Sequence, residues 1–99
     1  MKVYISGRIS GLPYEEVERK FAAAEAHWTG PNFLVLNPLK NGLDRSASWE
    51  EHMVADIRML MEADKVVMLS DWKESRGARI EEAIARILRK TIVRKRASY

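Results

Sequence analysis

Four short runs of apolar, β-favouring residues alternate along this chain with three stretches whose apolar residues recur every three or four positions. The runs are residues 2–6 (Lys2-Val3-Tyr4-Ile5-Ser6), 33–36 (Phe33-Leu34-Val35-Leu36), 65–69 and 91–93. Gly7 and Gly11 end the first run, and Pro13 suits the first turn of a helix. From there Tyr14, Val17, Phe21, Ala24 and Trp28 trace one helical stripe, which Gly30-Pro31-Asn32 breaks. Ser48 followed by Glu51 forms a capping box that starts a second helix, with Met53, Ile57, Leu60 and Met61 inward and an end near Ala63-Asp64. A third helix runs from residue 75 to residue 89, with Ile80, Ala83, Ile84, Ile87 and Leu88 inward. Strands and helices alternating through short connections pair in parallel by right-handed crossovers. The chain is therefore expected to be α/β, with three layers and a small, four-stranded parallel sheet flanked by helices. The continuous apolar run at 33–36 predicts a strand buried on both faces rather than an edge. Ninety-nine residues leave room for one core, so one domain is expected over residues 1–93, followed by a short basic tail at 94–99.

Composition removes several functional classes. At 46% apolar and 31% charged the chain is that of a globular protein, and no apolar run approaches the ~20 residues that span a bilayer. The start, Met1 to Gly7, is too short and too soon polar for a secretory signal, which together with the absence of cysteine points to the cytoplasm. Without cysteine there is no disulfide, thiolate–metal or cysteine-nucleophile chemistry to consider. His27 and His52 lie far apart with no ligand spacing around them, so no metal site is expected. The net charge of +3 is local: residues 89–96 carry five of the 17 basic groups and no acid, leaving 12 basic against 14 acidic groups elsewhere. That cluster reads as a solvated tail, with nucleic-acid contact as the alternative.

In open parallel sheets ligands bind beyond the carboxyl ends of the strands. Residues 6–12, 37–43 and 70–77 form that edge here. The third of these leads from the apolar run through Asp71-Trp72-Lys73-Glu74-Ser75-Arg76-Gly77 into a helix. Its Ser75-x-Gly77 step sits where unpaired backbone N–H groups and the positive end of a helix dipole gather, an environment suited to phosphate or carboxylate. At about 100° per residue, Glu81 falls roughly 90° from the stripe centred on Ile80 and Ile84, whereas Glu82 falls nearly opposite and reads as a solvated acid. The same arithmetic puts Asp56 roughly 90° from the apolar centre of the second helix. Two border carboxylates sharing a cleft titrate apart, one an anion and one an acid, as cleavage of a glycosidic bond requires. The bland reading is surface ion pairing with Arg58, Arg79 or Lys65. Tyr4 is either a core aromatic or a hydroxyl aimed at a carboxylate. Trp72 is a lid packed on the core or a cover for a base or sugar. Trp28 and Trp49 read as packing residues, and Gly7-x-x-x-Gly11 is not a dinucleotide fingerprint.

Several words of the chain recur in a known family. They are Tyr4-Ile5-Ser6-Gly7-Arg8-Ile9-Ser10-Gly11-Leu12-Pro13, Asn37-Pro38, Ser48-Trp49-Glu50-Glu51 leading to Asp56, Ala63-Asp64-Lys65-Val66-Val67, and Trp72-x-x-Ser75-Arg76-Gly77-Ala78-Arg79-x-Glu81. Over residues 2–93 the chain resembles the nucleoside 2-deoxyribosyltransferase-like superfamily, and within it the small DUF4406 branch. The resemblance implies a flavodoxin- or Rossmann-like fold and cleavage of the N-glycosidic bond of deoxynucleosides or their 5′-monophosphates, with no metal and no organic cofactor. By the same resemblance Glu81 is the nucleophile that attacks the sugar C1′. Asp56 positions that nucleophile or protonates the leaving base, and Tyr4 hydrogen-bonds the nucleophile. Ser75 and Gly77 match the loop that receives a 5′-phosphate. The remaining candidate substrate contacts are Ser6, Gly7, Ile9 and Gly11 from the first loop, Asn37 from the second, and Trp72, Arg76 and Arg79 from the third.

Three departures from the superfamily pattern bear on these expectations. Arg79 stands where relatives carry a glycine, and either intrudes on the site or pairs with a phosphate. Glu82 stands where they carry an apolar residue. The chain is short, so a homodimer or higher homo-oligomer is expected, with a neighbour's Ala97-Ser98-Tyr99 as a candidate to close the site. Two other functions stay open at this point. Arg76 and Arg79 suit a non-catalytic nucleotide-binding or sensor module, and residues 89–96 suit association with nucleic acid.

Overall fold

The computed structural model describes residues 1–96. Its elements are β1 (Lys2–Ser6), α1 (Tyr14–Trp28), β2 (Leu34–Leu36), α2 (Trp49–Glu62), β3 (Lys65–Met68), α3 (Arg76–Ile87) and β4 (Thr91–Arg94). Single turns of 3-10 helix lie at Pro38–Lys40 and Trp72–Glu74. Local chemistry sets most of these ends. The Ser48 hydroxyl accepts the Glu51 N–H at 3.1 Å while the Glu51 carboxylate accepts the Ser48 N–H at 3.1 Å, the reciprocal cap expected at the start of α2. After α3, the Lys90 N–H reaches the Ala85 carbonyl and the Arg89 N–H reaches that of Arg86. Arg89, at φ 59°, therefore takes the left-handed position that glycine usually fills, and the chain turns directly into β4.

The sheet is wholly parallel, in the order β2-β1-β3-β4. From β1 the chain steps one way to β2, then back across to β3 and on to β4. Right-handed crossovers consequently place α1 on one face and α2 with α3 on the other. The two core clusters follow this division. Ile5 packs with Val17, Phe21, Ala24 and Leu69 under α1. Tyr4, Val66 and Met68 pack with Leu60, Ala63, Ala78 and Ala85 under α2 and α3. The result is a three-layer α/β domain of flavodoxin-like type, as expected. No helix among the described residues is long and apolar enough to cross a membrane.

Four details differ from the sequence reading. The strand at 33–36 is an edge strand of three residues, and Leu34 is 58% exposed. Phe33 leaves it to form a bridge with Gly30 and to pack edge-on against Trp28, because a four-residue apolar run does not by itself distinguish a central from an outer strand. On α2 the buried positions are Met53, Asp56 and Leu60, while Met61 is 57% exposed.

On α3 the inward face is Ala78, Glu81, Glu82 and Ala85, and Ile87 is 75% exposed. Two alanines let this helix lie close to the sheet. Glu82 is accordingly not solvated: it is 7% exposed and accepts the guanidiniums of Arg94 at 2.6 Å and Arg86 at 3.1 Å. The Arg94 hydrogen bond, followed by burial acting against it and then by Arg86, leaves the Glu82 carboxyl below its ordinary range. Lastly, Arg94 is the final residue of β4 rather than the first of a tail. Residues 97–99, with the proposed closing contact by Ala97-Ser98-Tyr99, lie outside the described residues.

Candidate active site

Side chains alternate along a strand, so Tyr4 and Ser6 point to the same face of β1, the face covered by α2 and α3. α3 crosses that face with Glu81 directed inward. The Tyr4 hydroxyl donates to Glu81 Oε1 at 3.1 Å and the Ser6 hydroxyl donates to the same oxygen at 2.7 Å. Oε2 has no such partner, yet no buried side-chain polar atom among the described residues is left unpaired. Oε2 is thus open to the cavity that Glu81 lines. One carboxylate oxygen is gripped by two hydroxyls and the other is presented.

Gly7 follows directly, and its lack of a side chain matters here. A Cβ on it would come within 2.9 Å of the Leu69 side chain, so a larger residue would push the loop after β1 away from the end of β3.

Asp56, on α2, lines the same cavity, and both acids are only 5% exposed. Burial is the main cause of their altered titration. It lifts Glu81 from 4.5 to about 7, opposed by the Ser6 hydrogen bond, reinforced by the Asp56 charge and opposed by Tyr4. It lifts Asp56 from 3.8 to about 6, opposed by a hydrogen bond from Asn41 and by His52. Tyr4 is pushed well above its ordinary range by burial, then by the charges of Glu81 and Asp56, and so stays a neutral O–H donor.

The cavity holds about 360 Å³, within the ~300–1,000 Å³ of small-molecule sites. Its floor is Tyr4, Asp56 and Glu81. One rim is the start of α3 at Ser75, Gly77 and Ala78, and the other is the loop after β2 with Leu39, Leu43 and Arg45. The Ser75 hydroxyl caps α3 by accepting the Ala78 N–H at 3.1 Å. The first N–H groups of a helix have no intrahelical acceptor, so the Gly77 end of the rim is electropositive.

Of the residues singled out from sequence, the fold brings Tyr4, Ser6, Asp56 and Glu81 together. Gly7, Ile9, Ser75 and Gly77 line the cavity around them. Five others lie outside it. Gly11 adopts φ 83°, which a side chain resists, beneath the Arg8 guanidinium. Asn37 is buried and accepts the Leu39 N–H at 2.9 Å, which caps the 3-10 turn. Trp72 packs against the core under α3. Arg76 lies over the Trp49 ring, 4.5 Å from its centroid. Arg79 is exposed, with Nε 3.4 Å from the Ser75 carbonyl of its own helix.

Sequence reasoning missed four contributors. Tyr14 lines the cavity with the Arg45 guanidinium 3.4 Å from its ring centroid, and Trp49 and His52 line it from the first turn of α2. In the sequence Tyr14 and Trp49 carry only the signal of packing residues. Residues 39–47 are polar and read as a loop over one end of the sheet, which does not say that Arg45 within it or His52 beyond it faces inward.

Comparison with known proteins adds one match. No curated protein and no solved structure is similar enough to match the chain. A family model described as a domain of unknown function, DUF4406, matches residues 1–94. That span contains all four strands, all three helices and every residue of the cavity, and this chain belongs to the DUF4406 family.

Proposed function

We propose that the protein cleaves or transfers the N-glycosidic bond of (deoxy)nucleosides or their 5′-monophosphates, with Glu81 as nucleophile. The observation that carries this reading is the Glu81 carboxylate, held through one oxygen by Tyr4 and Ser6 and open through the other to a cavity shared with Asp56. The free oxygen attacks C1′ of the sugar. The electron pair of the C1′–N bond leaves with the base, which takes a proton delivered by Asp56. Water or a second base then attacks the glycosyl–enzyme ester and restores the carboxylate. Tyr4 and Ser6 hold the nucleophile in line, and the reaction draws on no metal or organic cofactor.

The resemblance to nucleoside 2-deoxyribosyltransferase-like proteins supports the same chemistry. The electropositive rim at Gly77 suits a 5′-phosphate. Of the guanidiniums that would favour a non-catalytic sensor, Arg76 lies over the ring of the cavity residue Trp49 and Arg79 bonds back to the Ser75 carbonyl, and neither lines the cavity itself. The setting that fits is cytoplasmic, as a homodimer or larger homo-oligomer, with Met61 and Ile87 among the exposed apolar residues available for self-association.

Incubation with a panel of deoxynucleosides and deoxynucleoside monophosphates, with and without a free acceptor base, tests the proposal by chromatography of released and exchanged bases. Base release that disappears in Glu81→Ala is the expected result. No free base from any panel member, with Glu81→Ala indistinguishable from wild type, refutes it. The working form carries one proton on the Asp56–Glu81 pair, held by Asp56; because burial lifts Glu81 to about 7 and Asp56 to about 6, it is the minority form of the singly protonated pair. The profile of kcat/KM against pH should therefore be a bell with its top between those values, falling on both sides.

A further inference from the structure

The geometry points to Asn41 as the positioning residue for Asp56: its carboxamide holds one Asp56 oxygen so that the other faces the cavity. This inference rests on the proposed glycosidic chemistry for its catalytic consequence, though not for its geometry.

Asn41 belongs to the loop after the Pro38–Lys40 turn, and every polar atom of its side chain is committed. Oδ1 accepts the Leu43 N–H at 3.0 Å, which fixes which end of the carboxamide is which. Nδ2 donates to Asp56 Oδ1 at 2.9 Å and lies 3.0 Å from His52 Nδ1. His52 Nε2 is 3.1 Å from the Asp44 carbonyl, which only accepts, so Nε2 carries the ring proton and the bare Nδ1 accepts from Asn41. The amide is thus clamped from three sides.

Four groups face Asp56: Asn41 from the loop, His52 one turn earlier on its own helix, Glu81 from α3 and Tyr4 from β1. Among the described residues Asn41 alone donates a hydrogen bond to it. Asp56 Oδ2 has no partner and is not a sealed, unpaired atom, so it opens on the cavity. A donor on one oxygen favours the ionised carboxylate and fixes its plane. Asn41 therefore sets both the direction from which Asp56 meets the leaving base and the pH at which it gives up its proton. It does not line the cavity, and acts through Asp56.

The test follows the Asp56 side-chain carboxyl by ¹³C NMR titration in wild type, Asn41→Leu and Asn41→Ser. Asn41→Leu removes the donor. Asn41→Ser also removes it, while its hydroxyl keeps an acceptor near the Leu43 N–H and so preserves the turn. Loss of one charge-assisted hydrogen bond should raise the Asp56 midpoint by about one pH unit in both variants. In turnover, both should lower kcat by about tenfold with little change in KM, and only for bases that need a proton to leave. A midpoint unchanged in both folded variants overturns the inference. A raised midpoint in a protein that releases no base leaves Asn41 as the residue that positions Asp56 and removes the glycosidic reading instead.

Discussion

Glu81→Gln is expected to lower turnover by about 10³-fold or more and, at pH 8, to make the protein more stable than wild type. The two effects share one cause. Burial raises the Glu81 pKa to about 7 in the folded chain, against 4.5 for an unperturbed glutamate. Below about 4.5 both states hold the proton and the fold carries no penalty. Between those values the folded chain keeps a proton that the unfolded chain has released, so stability falls as pH rises, and above about 7 the loss is complete. At roughly 1.4 kcal/mol per pH unit the penalty is about 3 kcal/mol. That is a large share of the 5–15 kcal/mol that typically holds a domain together. Glutamine preserves the shape and lacks the charge, and the Tyr4 and Ser6 hydroxyls can still donate to its Oε1. For a domain of this size the variant should melt about 10 °C or more above wild type at pH 8 and level with it near pH 4.5. Thermal unfolding followed by circular dichroism at the two pH values checks this. Equal destabilisation at both would mean that the Glu81 charge is not strained in the fold.

Asp56→Asn is the second large effect. Proton delivery by a positioned acid contributes about 10²–10⁴-fold, and only where the leaving group needs the proton. Natural deoxynucleosides should therefore lose activity in that range. A substrate whose leaving group departs as a stable anion should lose little. The alkaline limb of the pH profile should disappear together with the rate, because no residue is left to hold the one proton that the leaving base takes. Equal losses on both classes of substrate would instead make Asp56 a residue that only orders the site.

The parts of this fold that were legible in the sequence are those decided within a few residues. The Ser48–Glu51 capping box, the Gly30-Pro31-Asn32 break and the alternation of strands with helices are local statements, and the structure keeps them. Whether residues 33–36 lie inside the sheet or at its edge depends on the order in which strands come together, which no local pattern encodes. The inward face of α3 is hidden from the sequence for a different reason. A stripe drawn through isoleucines assumes that carboxylates face water, and Glu82 instead finds Arg94 on β4.

Glu81 lies 77 residues from Tyr4 and 75 from Ser6, yet its position at the border of the helix stripe marked it as a candidate. Family resemblance pointed to the same residue. Asn41, followed by Gly42, carries only a turn signal in the sequence, because its second task, the bond to Asp56, depends on the path of a loop. Arg76 and Arg79 show the converse dependence: Arg76 lies over the cavity residue Trp49, and Arg79 bonds back to the Ser75 carbonyl. Proximity in sequence to a helix N-terminus does not say which way a long side chain turns.

The most direct test of the account is to trap the glycosyl–enzyme. A nucleoside carrying fluorine at the sugar C2′ destabilises the positive charge that develops at C1′ and slows breakdown of the ester. Peptide mapping by mass spectrometry after incubation should find the fluorosugar mass on the peptide containing Glu81, and on no peptide of Glu81→Gln. Base release without any adduct, or an adduct carried by another residue, would contradict the assignment of Glu81 as the nucleophile.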